Sequence, residues 1–138
     1  GAFLVVSAVA GRFSAESAGN ASVGLCLSTD KAEYAAGEPV VIVLTVFNHS
    51  GREATFRFTS SKRYDFTIQD ENGNEMWRWS EGRMFLMVLG EEVIGPGREE
   101  VIYTERYTGE LRSGNYQVTG ILAAADKAMS GSVTIVVE

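Results

Sequence analysis

One cysteine, one histidine and two prolines in 138 residues close off several options at once. Cys26 alone makes no internal disulfide, so stability has to come from a packed core. A chain of this length buries roughly two thirds of its unfolded surface, enough without staples or a structural metal. A single thiol suits a reducing compartment and an exported protein alike, and between Leu25 and Leu27 it reads as a packed strand residue. His49 sits in Asn48-His49-Ser50-Gly51, a loop between apolar runs, which argues against a nucleophile with a positioned base. Ser130-Gly131-Ser132 does not match the strained G-x-S-x-G elbow, and no glycine-rich phosphate loop follows a strand. One cysteine and one histidine far apart do not make a zinc site. Cations are scarce too: 12 Lys and Arg against 18 Asp and Glu leave a net charge of −6. That balance argues against nucleic acid or an anionic membrane surface as partner. No apolar run approaches the length of a membrane-spanning helix. The expectation is a non-enzyme with no catalytic residues, no metal and no cofactor.

Helical periodicity is also missing, and what replaces it is a series of short apolar runs separated by turn signals, the spacing of a β-sandwich. The predicted strands are Val23 to Ser28, Val40 to Asn48, Ala54 to Thr59, Tyr64 to Gln69, Met76 to Ser80, Glu99 to Tyr107, Asn115 to Ala123 and Ser132 to Val137. The run from Val40 to Phe47 is apolar on both faces and predicts a central strand, its outer face covered by a loop or by the N-terminal arm. Gly95-Pro96-Gly97 predicts a turn. The acidic doublets Glu91-Glu92 and Glu99-Glu100 are expected in solvated loops. Residues 1–21 stand apart from a domain over 22–138. Phe3 to Ala10 reads as an added strand or as the end of a secretory signal, with Ala8-Val9-Ala10 resembling a cleavage site, and Gly11 to Ser22 reads as linker.

The most informative stretch is Tyr64 to Phe85. Tyr64, Phe66 and Ile68 alternate with Asp65, Thr67 and Gln69, the period-two pattern of a strand with one buried face. Asn72-Gly73 suits a two-residue type I′ turn, after which Met76 to Ser80 returns antiparallel with Trp77 and Trp79 on one face, opposite Arg78. Two tryptophans on one face serve either as core or as a stacking platform; if buried, each indole is expected to find a hydrogen-bond partner. Asp65 is placed to pair with Arg78 across the hairpin, fixing register. Asp70, Glu71 and Glu75 flank the turn and should face water, at a spacing unlike a calcium loop. Leu111, Gly114 and Tyr116 suggest a tyrosine corner, with Val118 and Gly120 pointing elsewhere.

Ser61, Tyr64-Asp65-Phe66, Asp70, Gly73, Trp77-Arg78-Trp79-Ser80, Met84-Phe85 and Pro96-Gly97 together resemble the bacterial intracellular proteinase inhibitor family, the BsuPI-type domain. The similarity extends upstream through Ser28-Thr29-Asp30-Lys31, Tyr34, Gly37-Glu38-Pro39 and Asn48, and downstream to Gly114 and Tyr116, covering about residues 22 to 138. The resemblance implies an all-β, immunoglobulin-like Greek-key β-sandwich and a partner that is a serine protease of the subtilisin type. It implies a cytoplasmic location if this chain is like the family's namesake, whereas a signal over residues 3–10 implies export. Tyr64, Asp65, Trp77, Arg78, Trp79, Ser80 and Tyr116 are then signature residues of a structural kind.

Such inhibitors present an extended segment to the enzyme's substrate-binding strands. The loop leaving the hairpin, Ser80 to Leu89, offers Arg83, Met84, Phe85 and Leu86 as protease-contact candidates. The competing reading has Met84 and Phe85 locking the loop onto the tryptophans from inside. A different class of function also fits: a non-inhibitory extracytoplasmic adhesion or accessory module that spaces domains or binds glycan. An unpaired strand edge leaves a homodimer by strand addition open as well.

Overall fold

The computed structural model describes residues 4–9, 12–20 and 22–138. Its strands are β1 (Leu4–Val9), β2 (Arg12–Asn20), β3 (Val23–Thr29), β4 (Glu33–Tyr34), β5 (Val40–Asn48), β6 (Ala54–Phe58), β7 (Tyr64–Gln69), β8 (Glu75–Arg78), β9 (Gly90–Ile94), β10 (Glu100–Tyr107), β11 (Gly114–Leu122) and β12 (Met129–Val137). One sheet runs β1-β2-β3-β5-β10, the facing sheet β4-β12-β11-β7-β8, and β6 pairs with β9 in a two-stranded ribbon. Among the described residues every strand pairing is antiparallel except that of β4 with β12. Hairpin neighbours thus alternate with crossings between sheets, and the protein is an all-β, immunoglobulin-like Greek-key sandwich.

Alternation builds the core. Leu25, Leu27, Ile42, Leu44 and Val46 of the first sheet meet Phe66, Ile68, Val118, Val133 and Ile135 of the second, all essentially inaccessible to water. Tyr116, Val118 and Gly120 share the inward face of β11, so Val118 and Gly120 do not point elsewhere as expected; residues two apart on a strand cannot diverge. Gly120 lies tight against side chains of the facing sheet. A methyl group there would stand 2.7 Å from Leu27 Cδ1, 3.2 Å from Leu44 Cδ1 and 3.3 Å from Phe66 Cε1. The Tyr116 hydroxyl donates to the Arg112 carbonyl at 2.8 Å, the bond that defines a tyrosine corner. Tyr34 does related work at the first crossover, donating to Asp30 Oδ1 at 2.5 Å while accepting from the Lys31 amide at 3.0 Å.

Several expectations are corrected. Arg12–Asn20, expected as linker, is a strand paired along β3, because ladder bonds are made by backbone and need no apolar side chains. With β1 it extends the first sheet sideways and does not cover the outer face of β5. Ala10 of the cleavage-like tripeptide lies outside the described residues. Glu91 and Glu92 belong to β9 and not to a loop; Glu92 meets Arg63 Nε at 3.3 Å and Arg98 Nη1 at 3.5 Å. The Pro96-Gly97 turn is present, closed by reciprocal 2.8 Å bonds between Gly95 and Arg98, with Gly97 at φ 90° as a type II turn requires.

Candidate functional site

The hairpin β7–β8 carries the site, and its turn differs from the type I′ expectation. The Gly73 amide donates to the Asp70 carbonyl at 3.1 Å and Asp70 N donates to Asn74 O at 2.9 Å, so Glu71 and Asn72 are the central residues and Gly73 follows at φ 82°. That is a type I turn with a glycine bulge. The Asp70 carboxylate selects it by accepting from the amides of Asn72 and Asn74, both at 2.9 Å; these bonds hold its pKa below the usual carboxylate range. Glu71 accepts from the Asn115 amide at 3.0 Å, and Glu75 takes Arg78 Nη2 at 2.7 Å. The acids of the turn are engaged in structure. Among the described residues no group of three or more His, Cys, Asp or Glu could hold a metal ion.

A second bulge, at Met76, sets the return: Ile68 lies opposite Trp77 and Thr67 opposite Arg78. Phe66 and Ile68 face the core, which puts Asp65 on the other face of the sheet, yet Asp65 is only 1% exposed. Its lid is local. Oδ2 accepts from the Ser80 hydroxyl at 2.5 Å, Lys62 Nζ at 2.8 Å and Arg78 Nη1 at 3.3 Å, while Oδ1 accepts from the amides of Ser80 at 3.0 Å and Phe66 at 2.9 Å. Burial would raise the pKa of this carboxyl, but the bonds from Lys62 and Ser80 outweigh it and hold the group below the usual range. Asp65 thus ties the segment before β7 to the chain leaving β8.

On the inward face the aromatic residues line the open side of the sandwich. Trp77 packs on Tyr107 at 5.1 Å, and Tyr64 lies between Trp79 and Tyr103, each at 4.7 Å. The Tyr64 hydroxyl donates to the Glu105 carboxylate, and burial together with that bond raises its pKa. Both tryptophans are half-buried against the core and form its rim. Contrary to expectation, Trp79 Nε1 is buried with no hydrogen-bond partner among the described residues.

From Trp79 the chain enters the loop. The Arg83 guanidinium lies over the Trp79 ring at 4.4 Å and Nε donates to the Trp79 carbonyl at 2.8 Å. Phe85 packs on Trp79 at 5.9 Å. Leu86 is fastened by both backbone groups: its amide donates to Ser61 Oγ at 2.9 Å and its carbonyl accepts from Ser61 N at 2.8 Å. Past these anchors the side chains face water. Met84 is 97% exposed, Leu86 70%, Met87 82%, Val88 54% and Leu89 86%. Of the four residues singled out in the sequence, Arg83 is pinned, Phe85 turns inward, and Met84 and Leu86 project. The exposed apolar run continues past them to Leu89; the signal available was the unbroken sequence Met84-Phe85-Leu86-Met87-Val88-Leu89 itself.

The arrangement defines an immunoglobulin-like domain bearing a braced, apolar, solvent-facing loop. The family model described as intracellular proteinase inhibitor, BsuPI, matches residues 27–127, the greater part of the chain, and this protein belongs to that family. Its fold is similar to the crystal structure of the C-terminal domain of wzt, with a TM-score of 0.55 and 11% identity over 88% of this chain and 76% of that one. It is also similar to the CARDB domain of a Pyrococcus furiosus protein solved in complex with di-metal ions, with a TM-score of 0.46 and 13% identity over 81% and 84% of the two chains. At such identities the first likeness speaks to the fold alone. A search of curated proteins finds no match.

Proposed function

We propose that this protein inhibits subtilisin-type serine proteases by offering Met84–Leu89 to the enzyme's substrate cleft, and that it catalyses nothing itself. Membership of a proteinase inhibitor family supports a protease as partner. The observation that carries the reading is the loop, where five of six consecutive residues, Met84, Leu86, Met87, Val88 and Leu89, are large apolar side chains held in water. Full burial of one such side chain is worth roughly 1.5–3 kcal/mol, so the loop holds a large unspent association energy. The anchors at Trp79 and Ser61 hold it in place before binding, which lowers the ordering entropy that association costs. Apolar clefts of the subtilisin kind match these side chains in chemistry.

The test is titration of a subtilisin-type protease with the protein, with the inhibitor's mass followed over the same interval. Stoichiometric loss of enzyme activity, with the inhibitor intact or nicked once, is the expected result. It should vanish when residues 84–89 are replaced by glycine and serine in a chain that still folds. Undiminished protease activity at excess protein, across several subtilisin-type enzymes, would refute the reading.

A further inference from the structure

Both backbone groups of Leu86 are spent on Ser61, and this sets the register in which the loop can meet an enzyme. In an extended segment the amide and carbonyl of successive residues point to opposite sides. In the extended form that a substrate cleft imposes on its occupant, with those of Leu86 turned to the scaffold, those of Phe85 and Met87 turn away from it. Two residues at i and i+2 with outward backbone groups are what an enzyme's substrate-binding strand pairs with in antiparallel fashion. Of the two, Phe85 has its ring against Trp79 at 5.9 Å with Lys62 Nζ 5.9 Å above it, so it is already packed. Met87 is 82% exposed, and its unbranched, polarisable side chain adapts to an apolar pocket. Met84 is more exposed still, but it shares the backbone parity of Leu86; Leu89 has the parity of Met87 and is 86% exposed, but the next residue, Gly90, is already paired with Phe58 in the β6–β9 ribbon.

We infer that Met87 fills the primary specificity pocket of the partner protease, and that Met87–Val88 is the peptide bond presented to its nucleophile. This rests on the inhibitor reading proposed above. Attack by the enzyme's serine on the Met87 carbonyl carbon, with its hydroxyl proton passing to the enzyme's base, forms an acyl-enzyme and releases the Val88 amine, which takes that proton back from the base. Hydrolysis consumes one water and leaves a Met87 carboxylate; religation reverses the first step. Both sides of the bond are fastened to the segment before β7. Upstream, Leu86 is held by Ser61. Downstream, Arg63 lies so close to Gly90 that a methyl group there would stand 2.6 Å from Nη2, and Arg63 also reaches the Ser60 carbonyl at 2.9 Å and Glu92 at 3.3 Å. A released Val88 amine therefore stays beside the acyl group at high effective concentration, and re-forming the bond competes with hydrolysis.

The experiment compares the unaltered chain with Met87→Lys and Met84→Lys against a subtilisin-type protease and a protease whose pocket takes lysine. The nick is located by mass spectrometry. The expected result is a nick between Met87 and Val88 in the unaltered chain, inhibition of the lysine-directed protease by Met87→Lys alone, and its loss of tenfold or more in affinity for the subtilisin-type enzyme, about the scale of a mismatched apolar pocket. Inhibition by the unaltered chain with a nick elsewhere, or redirection by Met84→Lys, overturns the register and leaves the inhibitor reading standing. No inhibition by the unaltered chain, and none of the lysine-directed enzyme by Met87→Lys, overturns both.

Discussion

Removing the charge of Asp65 while keeping its shape should separate what holds the hairpin to the loop. In Asp65→Asn the remaining carbonyl oxygen still accepts from the amides of Phe66 and Ser80, and the Ser80 hydroxyl can turn to accept from the new amide. The bonds from Lys62 at 2.8 Å and Arg78 at 3.3 Å have no acceptor left. A hydrogen bond to a charged group contributes about 1.5–3 kcal/mol, and both cations are partly solvated, which discounts each. The expected loss is about 2–3 kcal/mol, or roughly 10 °C in Tm for a domain of this size. Asp65→Ala also orphans the two amides and should cost about 4 kcal/mol. Urea denaturation at neutral pH measures both. Because the folded-state pKa of Asp65 is lowered, its stabilisation is fully present above the unfolded-state value and is lost as pH falls through the folded one. The gap between the unaltered protein and Asp65→Asn should therefore narrow in acid. An Asn variant within 0.5 kcal/mol of the unaltered protein, by the same scale of magnitudes, or a gap that widens in acid, would refute the account.

Three further substitutions probe the scaffold and the loop. Gly120→Ala forces a methyl group to 2.7 Å from Leu27 Cδ1 in a filled core. Overpacking of about 1–3 kcal/mol, less the entropy that alanine removes from the unfolded chain, predicts a net loss of about 1–2 kcal/mol as a lower urea midpoint at unchanged slope. Tyr116→Phe deletes the hydroxyl's bond to the Arg112 carbonyl and should cost about 1 kcal/mol, with faster amide exchange around residues 109–113 as the local readout. Ser61→Ala frees the Leu86 amide; stability should change by less than about 1 kcal/mol, while a broad-specificity protease should cut between residues 84 and 89 markedly faster. An unchanged cutting rate would show that the Ser61 hydroxyl does not brace the loop.

What the sequence determined by itself was carried by neighbouring residues. Alternation over Tyr64-Asp65-Phe66-Thr67-Ile68 marks β7, the apolar run from Val40 marks β5 as an interior strand, paired with β3 and β10 though not covered on its outer face by the N-terminal strands, and Pro96-Gly97 marks a turn, because backbone pleat and turn angles are properties of adjacent residues. Tyr116 after Gly114 signalled its corner for the same reason. Strands made of small or charged residues, β2 and β9, gave no such pattern; they exist because β3 and β6, separate stretches of the chain, offer backbone to pair with. The hairpin turn was one residue longer than Asn72-Gly73 suggested because the Asp70 carboxylate caps the amides of Asn72 and Asn74. Tertiary structure alone decided the fate of Met84-Phe85-Leu86-Met87-Val88-Leu89. By composition that run belongs in a core. The Trp79 ring is shared by Tyr64, Arg83 and Phe85, which leaves Phe85 as the loop residue it covers, and Ser61 holds the Leu86 backbone at the surface, so the remaining side chains stand in water. Which apolar residues find cover depends on surfaces contributed from elsewhere in the chain, and no local pattern encodes it.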